Sequence, residues 1–477
     1  MFQLSYTIMV KNSFPLAVCR YKMDKLKKDI EKEWDIKDAQ PFFPTIEYLF
    51  KTENLSSYKD FGLELQNRMT KLNPEYYRKT SMIHGIFKTM QGKTTSHKLE
   101  NCHNAVFVGA FISALLSQTK CQHFADVYGI FTGIATSLTV NISDDYEDIF
   151  DCSWFSANKG KTFNLKLTTE MQEDKPAIQL GDITELEGVE ELDAPAVDAE
   201  PGDLQSMSEE STSISEVFDI HSESCSVASN CESELEDFAW ATFKNVPVIT
   251  TVMEKCEDTL HKLLQNNSEE KYLDWISQVI FALAYAQQMF GLVHNDLHSN
   301  NIMYVPTKTE FLYYRYNSEG YRIPTHGYLI KIIDFERSTA QIRLAGMKDS
   351  RILMSDHFAP DEEAYGQYNY GPYYTKKYQT IKPNTSFDLC RLATSLYWDI
   401  FPTGKGTGLL YDLFVSWLTQ EDGTPVFHLD RECDRYPGFE IYKAIARYCN
   451  NAVPAKQIEK LPYKCDILPQ YDVLLIN

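Results

Sequence analysis

Two aspartates and an asparagine in the second half of the chain have the types and spacing that phosphoryl transfer requires. Residues 294–301 read HNDLHSNN and contain Asp296 and Asn301, and Asp334 follows after a short apolar run. Such chemistry needs a carboxylate that orients the attacking hydroxyl and accepts its proton, and oxygen ligands that hold Mg²⁺ against the phosphates of a nucleotide. The pattern predicts Asp296 as the base and Asn301 with Asp334 as metal ligands.

The flanking sequence predicts elements able to position these side chains. Residues 275–290 carry apolar residues at three- and four-residue spacing, which predicts a mostly buried helix that ends at Gly291. Residues 301–305 and 328–333 are short β-prone runs. We expect these runs to present Asn301 and Asp334 from the ends of a small hairpin.

The order of these motifs resembles the protein-kinase superfamily. The match consists of a helix, His-x-Asp-Leu-x-x-x-Asn, two strands and Asp-Phe, followed at residues 384–393 by a helix start with Asp388 in its first turn. The segments HNDLHSNNIMY, QYNYGP and SFDLCRLA are most similar to the divergent serine/threonine kinases encoded by large nucleocytoplasmic DNA viruses. The resemblance covers about residues 100–168 and 238–405 and is specific in its second half.

This resemblance implies an α+β, two-lobed fold with a small antiparallel β-rich N-lobe and a larger helical C-lobe. It implies ATP with Mg²⁺ or Mn²⁺ as cofactors, protein hydroxyls as phosphate acceptors, and a scaffold role for Asp388, whose carboxylate would hydrogen-bond the backbone around Asp296. Residues 246–260 would form the strand and hinge between the lobes, with Met253 at the gatekeeper place. The residues that it assigns to nucleotide binding are Met253, Glu254, Cys256, Asp258 and Asp334.

Three positions depart from the usual kinase pattern. Asn295 replaces the arginine that often pairs with a phosphorylated activation loop, so control by such phosphorylation is not expected. His298 replaces the usual lysine; it can donate a hydrogen bond to a phosphate but is mostly neutral near pH 7, and we count it among the catalytic candidates. Glu336 replaces the glycine after Asp-Phe and removes its conformational freedom.

The N-terminal half offers fewer of the expected nucleotide-binding features. No G-x-G-x-x-G occurs before residue 255, and residues 105–116, which resemble the regulatory helix, contain no acidic residue, Glu100 being the nearest carboxylate. Lys88, Lys93 and Lys98 are all candidates for the lysine that contacts the phosphates. We favour Lys88 because it follows the β-prone run at residues 82–87, although a plain solvated lysine is the common alternative.

Length and charge predict a large globular protein with an acidic insertion. The chain has 477 residues, is 43% hydrophobic and carries a net charge of -21. Residues 170–237 hold 21 acidic residues against one lysine, so they should be disordered and either bind basic partners or act as a solubilising tether. The remainder is close to neutral, and we expect no nucleic-acid partner.

The resulting domain prediction has three parts: a partly helical extension at 1–80, an N-lobe at 81–255 interrupted by the insertion at 170–237, and a C-lobe with a C-terminal extension at 256–477. A second insertion, at about residues 307–325, should lengthen the loop between the two β-prone runs. The basic run at residues 20–32 is interleaved with acidic residues, which favours a helix packed on the N-lobe over a membrane contact.

Cysteine usage and hydropathy favour the cytoplasm. The 11 cysteines form no C-x-x-C pair, which indicates a reducing compartment and argues against structural zinc. The longest apolar stretch, residues 106–116, is too short to span a membrane, and the N-terminus is a poor signal peptide. We expect a cytoplasmic protein, in the host cytoplasm or the virion if it is viral.

Three functions fit these features. The first is a serine/threonine protein kinase. The second is a small-molecule kinase, because His-Asn-Asp with a following Ile-Asp-Phe-Glu also resembles choline kinases and aminoglycoside phosphotransferases, among which Glu336 is natural. The third is a pseudokinase that acts as an interaction module, which the absent glycine loop and helix glutamate favour and the intact trio of Asp296, Asn301 and Asp334 opposes.

Overall fold

The computed structural model describes residues 27–32, 35–41, 77–81, 105–143, 146–167, 238–342, 351–354, 356–358, 383–427, 435–437, 440–469 and 472–476. Within these residues the fold is α+β, with four sheets and helices that range from single turns to five turns. The general α+β prediction is confirmed. Lys88, Lys93, Lys98, Glu100 and the insertion at 170–237 lie outside the described residues.

The first sheet is antiparallel and contains two unusually long strands. Its strands are β1 (Ile36–Pro41), β2 (Tyr77–Ser81), β3 (Val127–Asn141), β4 (Phe163–Leu167) and β5 (Ala239–Glu254). The order is β1-β3-β5-β2, with β4 also paired to β5. Because β1 and β2 share this sheet with β3, the domain boundary predicted at residue 80 divides strands of one sheet.

Helix α1 (Ala105–Ser117) packs against β3 and β5, and it is followed by α2 (Tyr146–Ile149) and α3 (Ser153–Asn158). The described side chains of α1 are buried from Val108 to Ser117. Residues 27–32 are helical as well, and Ile30 is fully buried in the cluster formed by β1, β3 and β5. The described part of the basic run is therefore a helix packed on the first sheet.

The acidic insertion joins two paired strands. In the antiparallel ladder of β4 and β5, Leu167 lies opposite Ala239, so the chain leaves and re-enters the sheet at neighbouring positions. An insertion at such a place interrupts no core packing.

The central helix is α5 (Tyr272–Phe290), which follows β6 (Asp258–Thr259) and α4 (Leu260–Gln265). Nearly all of its side chains are buried, and its polar Gln278 is satisfied by β10 (Tyr328–Ile332), accepting from Ile330 N at 3.0 Å and donating to Tyr328 O at 3.3 Å. Gly291 ends the helix with φ 54°, and its N–H donates to Gln287 O at 2.8 Å. A residue without a Cβ adopts this left-handed conformation without strain, so the predicted helix end is confirmed.

Strand β10 pairs with β7 (Ile302–Pro306) in antiparallel fashion, with Ile332 opposite Ile302. This register brings the start of β7 beside the end of β10, as predicted. The intervening residues form a second hairpin of β8 (Phe311–Tyr316) and β9 (Glu319–Pro324), where the sequence predicted a lengthened loop. The hairpin belongs to a four-stranded sheet completed by β13 (Lys464–Cys465) and by β14 (Val473–Ile476), which runs parallel to β8.

The remaining elements are β11 (Ala340–Ile342), β12 (Arg351–Leu353), α6 (Phe387–Ile400), α7 (Leu409–Trp417), α8 (Glu440–Tyr448) and α9 (Pro454–Ile458). One hydrophobic cluster runs from α1 through α5 to α6, α7 and α8. Large side chains such as Trp275, Phe281 and Trp417 are fully buried in it, and truncating such a residue typically costs about 3–5 kcal/mol. In the described part of the chain no helix is long and apolar enough to cross a membrane.

Candidate active site

Three of the residues predicted to do chemistry, Asp296, His298 and Asn301, lie on the connection between α5 and β7, residues 292–301, which we call the HND loop. Leu292, Val293 and Leu297 anchor this loop in the core, where each is at most 1% exposed. Asn295 has φ 66°, a left-handed conformation that asparagine tolerates better than most residues. The turn at Asn295 is thus part of the geometry of the loop.

Asp388, in the first turn of α6, holds the HND loop by its backbone. Its Oδ2 accepts a hydrogen bond from His294 N and its Oδ1 one from Asn295 N, each at 2.9 Å. Burial raises the pKa of Asp388, while His294 and the two backbone N–H groups act in the opposite direction and Asp296 adds to the increase. The predicted hydrogen bonds between Asp388 and the loop backbone are confirmed.

His294 connects the loop to the second predicted motif. Its Nδ1 accepts from Asp296 N at 3.3 Å, and its Nε2 lies 2.9 Å from Ile333 O. Because Nδ1 accepts a hydrogen bond and Nε2 faces a carbonyl oxygen, the ring proton is assigned to Nε2. The fully buried imidazole therefore fixes the residue before Asp334 relative to Asp296.

Asp296 and Asn301 are joined directly. Asn301 Nδ2 donates to the backbone oxygen of Asp296 at 3.0 Å, so the amide oxygen Oδ1 is the atom that Asn301 can offer to a cation. The two side chains are buried, with residue exposures of 6% and 9%. His298 caps the short 3₁₀ turn Ser299–Asn301, because its Nδ1 accepts from Asn300 N at 3.2 Å. This is a structural role beside the catalytic one predicted for His298.

Asp334 is the second residue after β10 and is adjacent to Asn301 through the backbone. Ile333 N donates to Asn301 O at 3.0 Å, and Asp334 itself has φ 65° and an exposed side chain. Non-glycine residues in this conformation concentrate at functional sites. One carboxylate and one amide oxygen suit a hard cation such as Mg²⁺, which takes one or two protein ligands and completes its shell with phosphates and water.

No group of three or more His, Cys, Asp or Glu side chains suited to a metal occurs among the described residues. This finding does not bear on Asn301 and Asp334, since a pair that contains an asparagine is a different kind of ligand set.

Phe335 fixes the segment that carries Asp334. Its ring is 3% exposed and contacts Phe124 at 6.0 Å and His294 at 5.0 Å between centroids. Phe124 belongs to the loop after α1 and is bridged to Ile332 of β10. The aromatic side chain thus ties the HND loop, β10 and the region of α1 together.

Glu336 and Arg337, the two residues after Phe335, contact different parts of the structure. Gly109 of α1 approaches Glu336 so closely that a Cβ at this position would lie 2.6 Å from Glu336 Cγ. Arg337 extends toward the HND loop, with Nη1 3.8 Å from Asp296 Oδ2. The backbone and Cγ of Glu336 therefore pack against α1.

The predicted hinge follows β5. Met253 is buried at the end of this strand, and the carboxylate of Glu254 forms an ion pair with Lys331 at 2.9 Å and accepts from Asp126 N at 3.3 Å. The side chain of Glu254 is thus engaged by protein groups, and its backbone N–H donates to Asp126 O at 2.7 Å. Cys256 is buried, and Asp258 lies in β6, where its Oδ1 accepts from Thr259 N.

A lysine that the sequence analysis did not consider lies in the sheet beside the hinge strand. Strand β2 pairs with β5 in a register that sets Lys79 opposite Val252. The β-prone run that pointed to Lys88 begins one residue after β2 ends. The described sheet therefore places Lys79 beside the hinge end of β5, whereas Lys166 of β4 lies opposite Trp240 near the other end.

Two further residues were missed. Lys331 interrupts the apolar strand YLIKI, and a lysine in a buried strand signals a partner. Arg337 follows the Asp-Phe-Glu motif directly, but no sequence pattern indicated that its side chain would return to Asp296. Comparison of the chain with protein-family models and with curated proteins gives no match.

Proposed function

We propose that this protein is an ATP-dependent phosphotransferase of the protein-kinase type that acts on serine or threonine hydroxyls. The observation that carries this proposal is the hydrogen-bonded set in which Asp388 holds the HND loop, Asn301 Nδ2 bonds Asp296 O, and Ile333 N bonds Asn301 O next to Asp334. These hydrogen bonds support the proposal because they join the segments that carry Asp296, Asn301 and Asp334, the residue types that phosphoryl transfer needs.

In the proposed reaction, the Asp296 carboxylate orients the acceptor hydroxyl and takes its proton as the oxygen attacks the γ-phosphorus of ATP. The bond between the γ-phosphorus and the bridging oxygen breaks, and ADP leaves with that electron pair. Asn301 Oδ1 and the Asp334 carboxylate would hold Mg²⁺, which, when bound, supplies positive charge against the phosphates. The carbonyl of Ile333 fixes His294, and so keeps the two segments in register.

The nucleotide would lie between the first sheet and the HND loop. Its base would meet the backbone of residues 254–256 beside Met253, and Lys79 is our revised candidate for the phosphate lysine because of its register with Val252. In this arrangement the first sheet and α1 form an N-lobe, and the helices from α5 onward form a C-lobe. This is the two-lobed architecture that the resemblance to protein kinases implies.

A small-molecule kinase is the second candidate, and the Glu336 carboxylate favours it, since choline kinases and aminoglycoside phosphotransferases resemble this chain at that position. The pseudokinase alternative is favoured by α1, which has no acidic residue. The two kinases differ in what accepts the phosphate, whereas a pseudokinase transfers none.

The experiment incubates purified protein with γ-labelled ATP and Mg²⁺, in parallel with a mixture of basic proteins and with a panel of amino-alcohols and aminoglycosides. The Asp334→Asn variant is the control. Label on protein that disappears in the variant supports the proposal, and label on a small molecule supports the second candidate. No transfer by a folded protein would identify a pseudokinase.

A further inference from the structure

Arg337 places a cation beside the aspartate that we propose as the catalytic base. Its Nη1 lies 3.8 Å from Asp296 Oδ2, and the two side chains are only 7% and 9% exposed. An ion pair this far from water is screened much less than one on the surface. A carboxylate buried without such a partner would be strongly disfavoured.

The HND loop has no cation of its own to perform this task. Residues 292–301 contain neither lysine nor arginine, because Asn295 and His298 stand where the resembling kinases have those residues. A guanidinium stays charged at every pH at which the protein is folded. The positive charge beside Asp296 is therefore supplied from the other side of the site, by the segment after Asp334.

The backbone around Arg337 is fixed to the HND loop by hydrogen bonds that do not involve the guanidinium. Asn295 Nδ2 donates to Arg337 O at 2.8 Å, and Ser338 Oγ donates to His294 O at 3.3 Å. Val293 and Thr339 exchange two backbone hydrogen bonds, at 3.0 and 2.9 Å. Because the main chain is already ordered, the side chain reaches Asp296 at a low entropic cost.

We infer that Arg337 is a positioning residue: its guanidinium holds the Asp296 carboxylate in the orientation needed for the acceptor hydroxyl. Asn295, which has lost the charge of the usual arginine, serves this arrangement by holding the carbonyl of Arg337. The inference rests on the proposed function. It also implies that the segment is aligned without phosphorylation, since the cation pairs with the base itself and not with a phosphate.

The test measures γ-phosphate transfer to the best acceptor for wild type, Arg337→Met, Arg337→Lys and Arg337→Ala, with Arg322→Met as a control for loss of an arginine distant from the site. Arg322 lies on β9 over the ring of Phe311. For Arg337→Met we expect kcat to fall by about 10- to 100-fold, the range that loss of an orienting contact produces, with the KM for ATP changed less than threefold. Arg337→Lys should recover part of kcat.

Chemical rescue separates positioning from folding. Guanidinium at a few millimolar should restore transfer by Arg337→Ala, whereas potassium chloride at the same ionic strength should not, and thermal unfolding should show that the variant is folded. The inference is overturned if Arg337→Met keeps kcat within twofold of wild type, or if neither lysine nor guanidinium restores a lost activity in a folded variant. Failure of the proposed function looks different, because then wild type would transfer no phosphate or Asp296→Asn would be fully active.

Discussion

At the scale of single residues, the site depends on a buried charge that does no chemistry. Asp388 is fully buried, and both of its carboxylate oxygens accept hydrogen bonds from backbone N–H groups of the HND loop. Hydrogen bonds to a charged acceptor are worth about 1.5–3 kcal/mol each. The position of Asp296 is therefore set by the sequence of α6, about 90 residues away.

Replacing Asp388 with asparagine should destabilise the fold and the loop together. The amide keeps one acceptor and turns an N–H₂ group toward a backbone donor, so we expect a loss of about 2–4 kcal/mol in the free energy of unfolding, measured by chemical denaturation. Ser386→Ala is the matched control, because Ser386 is buried in the same turn and its Oγ makes no hydrogen bond among the described residues. Equal stability of Asp388→Asn and Ser386→Ala would refute the role of Asp388.

At the scale of secondary-structure elements, α1 and the Asp-Phe-Glu segment meet at a glycine. A Cβ at Gly109 would lie 2.6 Å from Glu336 Cγ and 3.3 Å from Glu336 N. The glycine thus permits the close approach of α1 that accommodates a carboxylate at position 336. A helix with valine at this position would have to move away from the segment that follows Asp334.

We expect Gly109→Val to lower the free energy of unfolding by about 1–3 kcal/mol, the usual cost of overpacking, and to reduce phosphate transfer. The double variant Gly109→Val with Glu336→Gly removes the colliding side chain and should recover part of both losses. A double-mutant cycle measured by denaturation gives the coupling. Strictly additive losses would mean that the two residues do not act on one another.

The loop between α1 and β3 contains a histidine that should make stability depend on pH. His123 Nδ1 lies 2.9 Å from Ile330 O and its Nε2 2.7 Å from the hydroxyl of Tyr314, and burial lowers the pKa of His123 from 6.5 to about 4. The unfolded chain therefore binds a proton between these values that the folded chain does not. Its contribution to stability is complete above pH 6.5 and is lost as the pH falls toward 4.

The measurement compares the free energies of unfolding of wild type and His123→Gln at pH 7 and pH 5. In wild type, protonation of His123 in the unfolded chain should lower the free energy of unfolding by about 2 kcal/mol at pH 5. The decrease in this free energy from pH 7 to pH 5 should therefore be smaller in His123→Gln by that amount. The same decrease in both proteins would show that His123 does not carry this part of the pH dependence.

Several of these features could be predicted from the sequence and others could not, for physical reasons. Helix α5, its end at Gly291, the β7–β10 pairing and the bonds from Asp388 follow from local periodicity, turn chemistry and motif order. The hairpin of β8 and β9 was predicted as a loop. Its two edges pair with β13 and β14, which lie some 140 residues later in the chain, and pairing over such a distance cannot be recognised from the local sequence. Lys79 was missed because its neighbours depend on the register between β2 and β5. Arg337 was missed because the chain reverses direction before its side chain reaches Asp296. Neither feature can be recognised from the local sequence.

At the scale of the whole molecule, nearly all of the net charge is held by a segment that joins two adjacent strands. Leu167 and Ala239 lie opposite each other in the ladder of β4 and β5, so a short turn can replace residues 170–236. We expect this deletion variant to fold, with a free energy of unfolding within about 1 kcal/mol of wild type, because shortening a loop costs little. It should also transfer phosphate at the wild-type rate. Aggregation of the variant, or loss of transfer by a folded one, would assign the insertion a part in folding or catalysis.

The most direct test of the account is the rate of γ-phosphate transfer from ATP in the presence of Mg²⁺ for wild type, Asp296→Asn and Asp334→Asn. The two substitutions remove the proposed base and one proposed metal ligand with almost no change in shape. We predict measurable transfer by wild type and a loss of at least about 100-fold in each variant, the effect expected when an acid–base group is removed, with folding confirmed by thermal unfolding. Wild-type rates in both variants, or no transfer by wild type to any acceptor, would contradict the account.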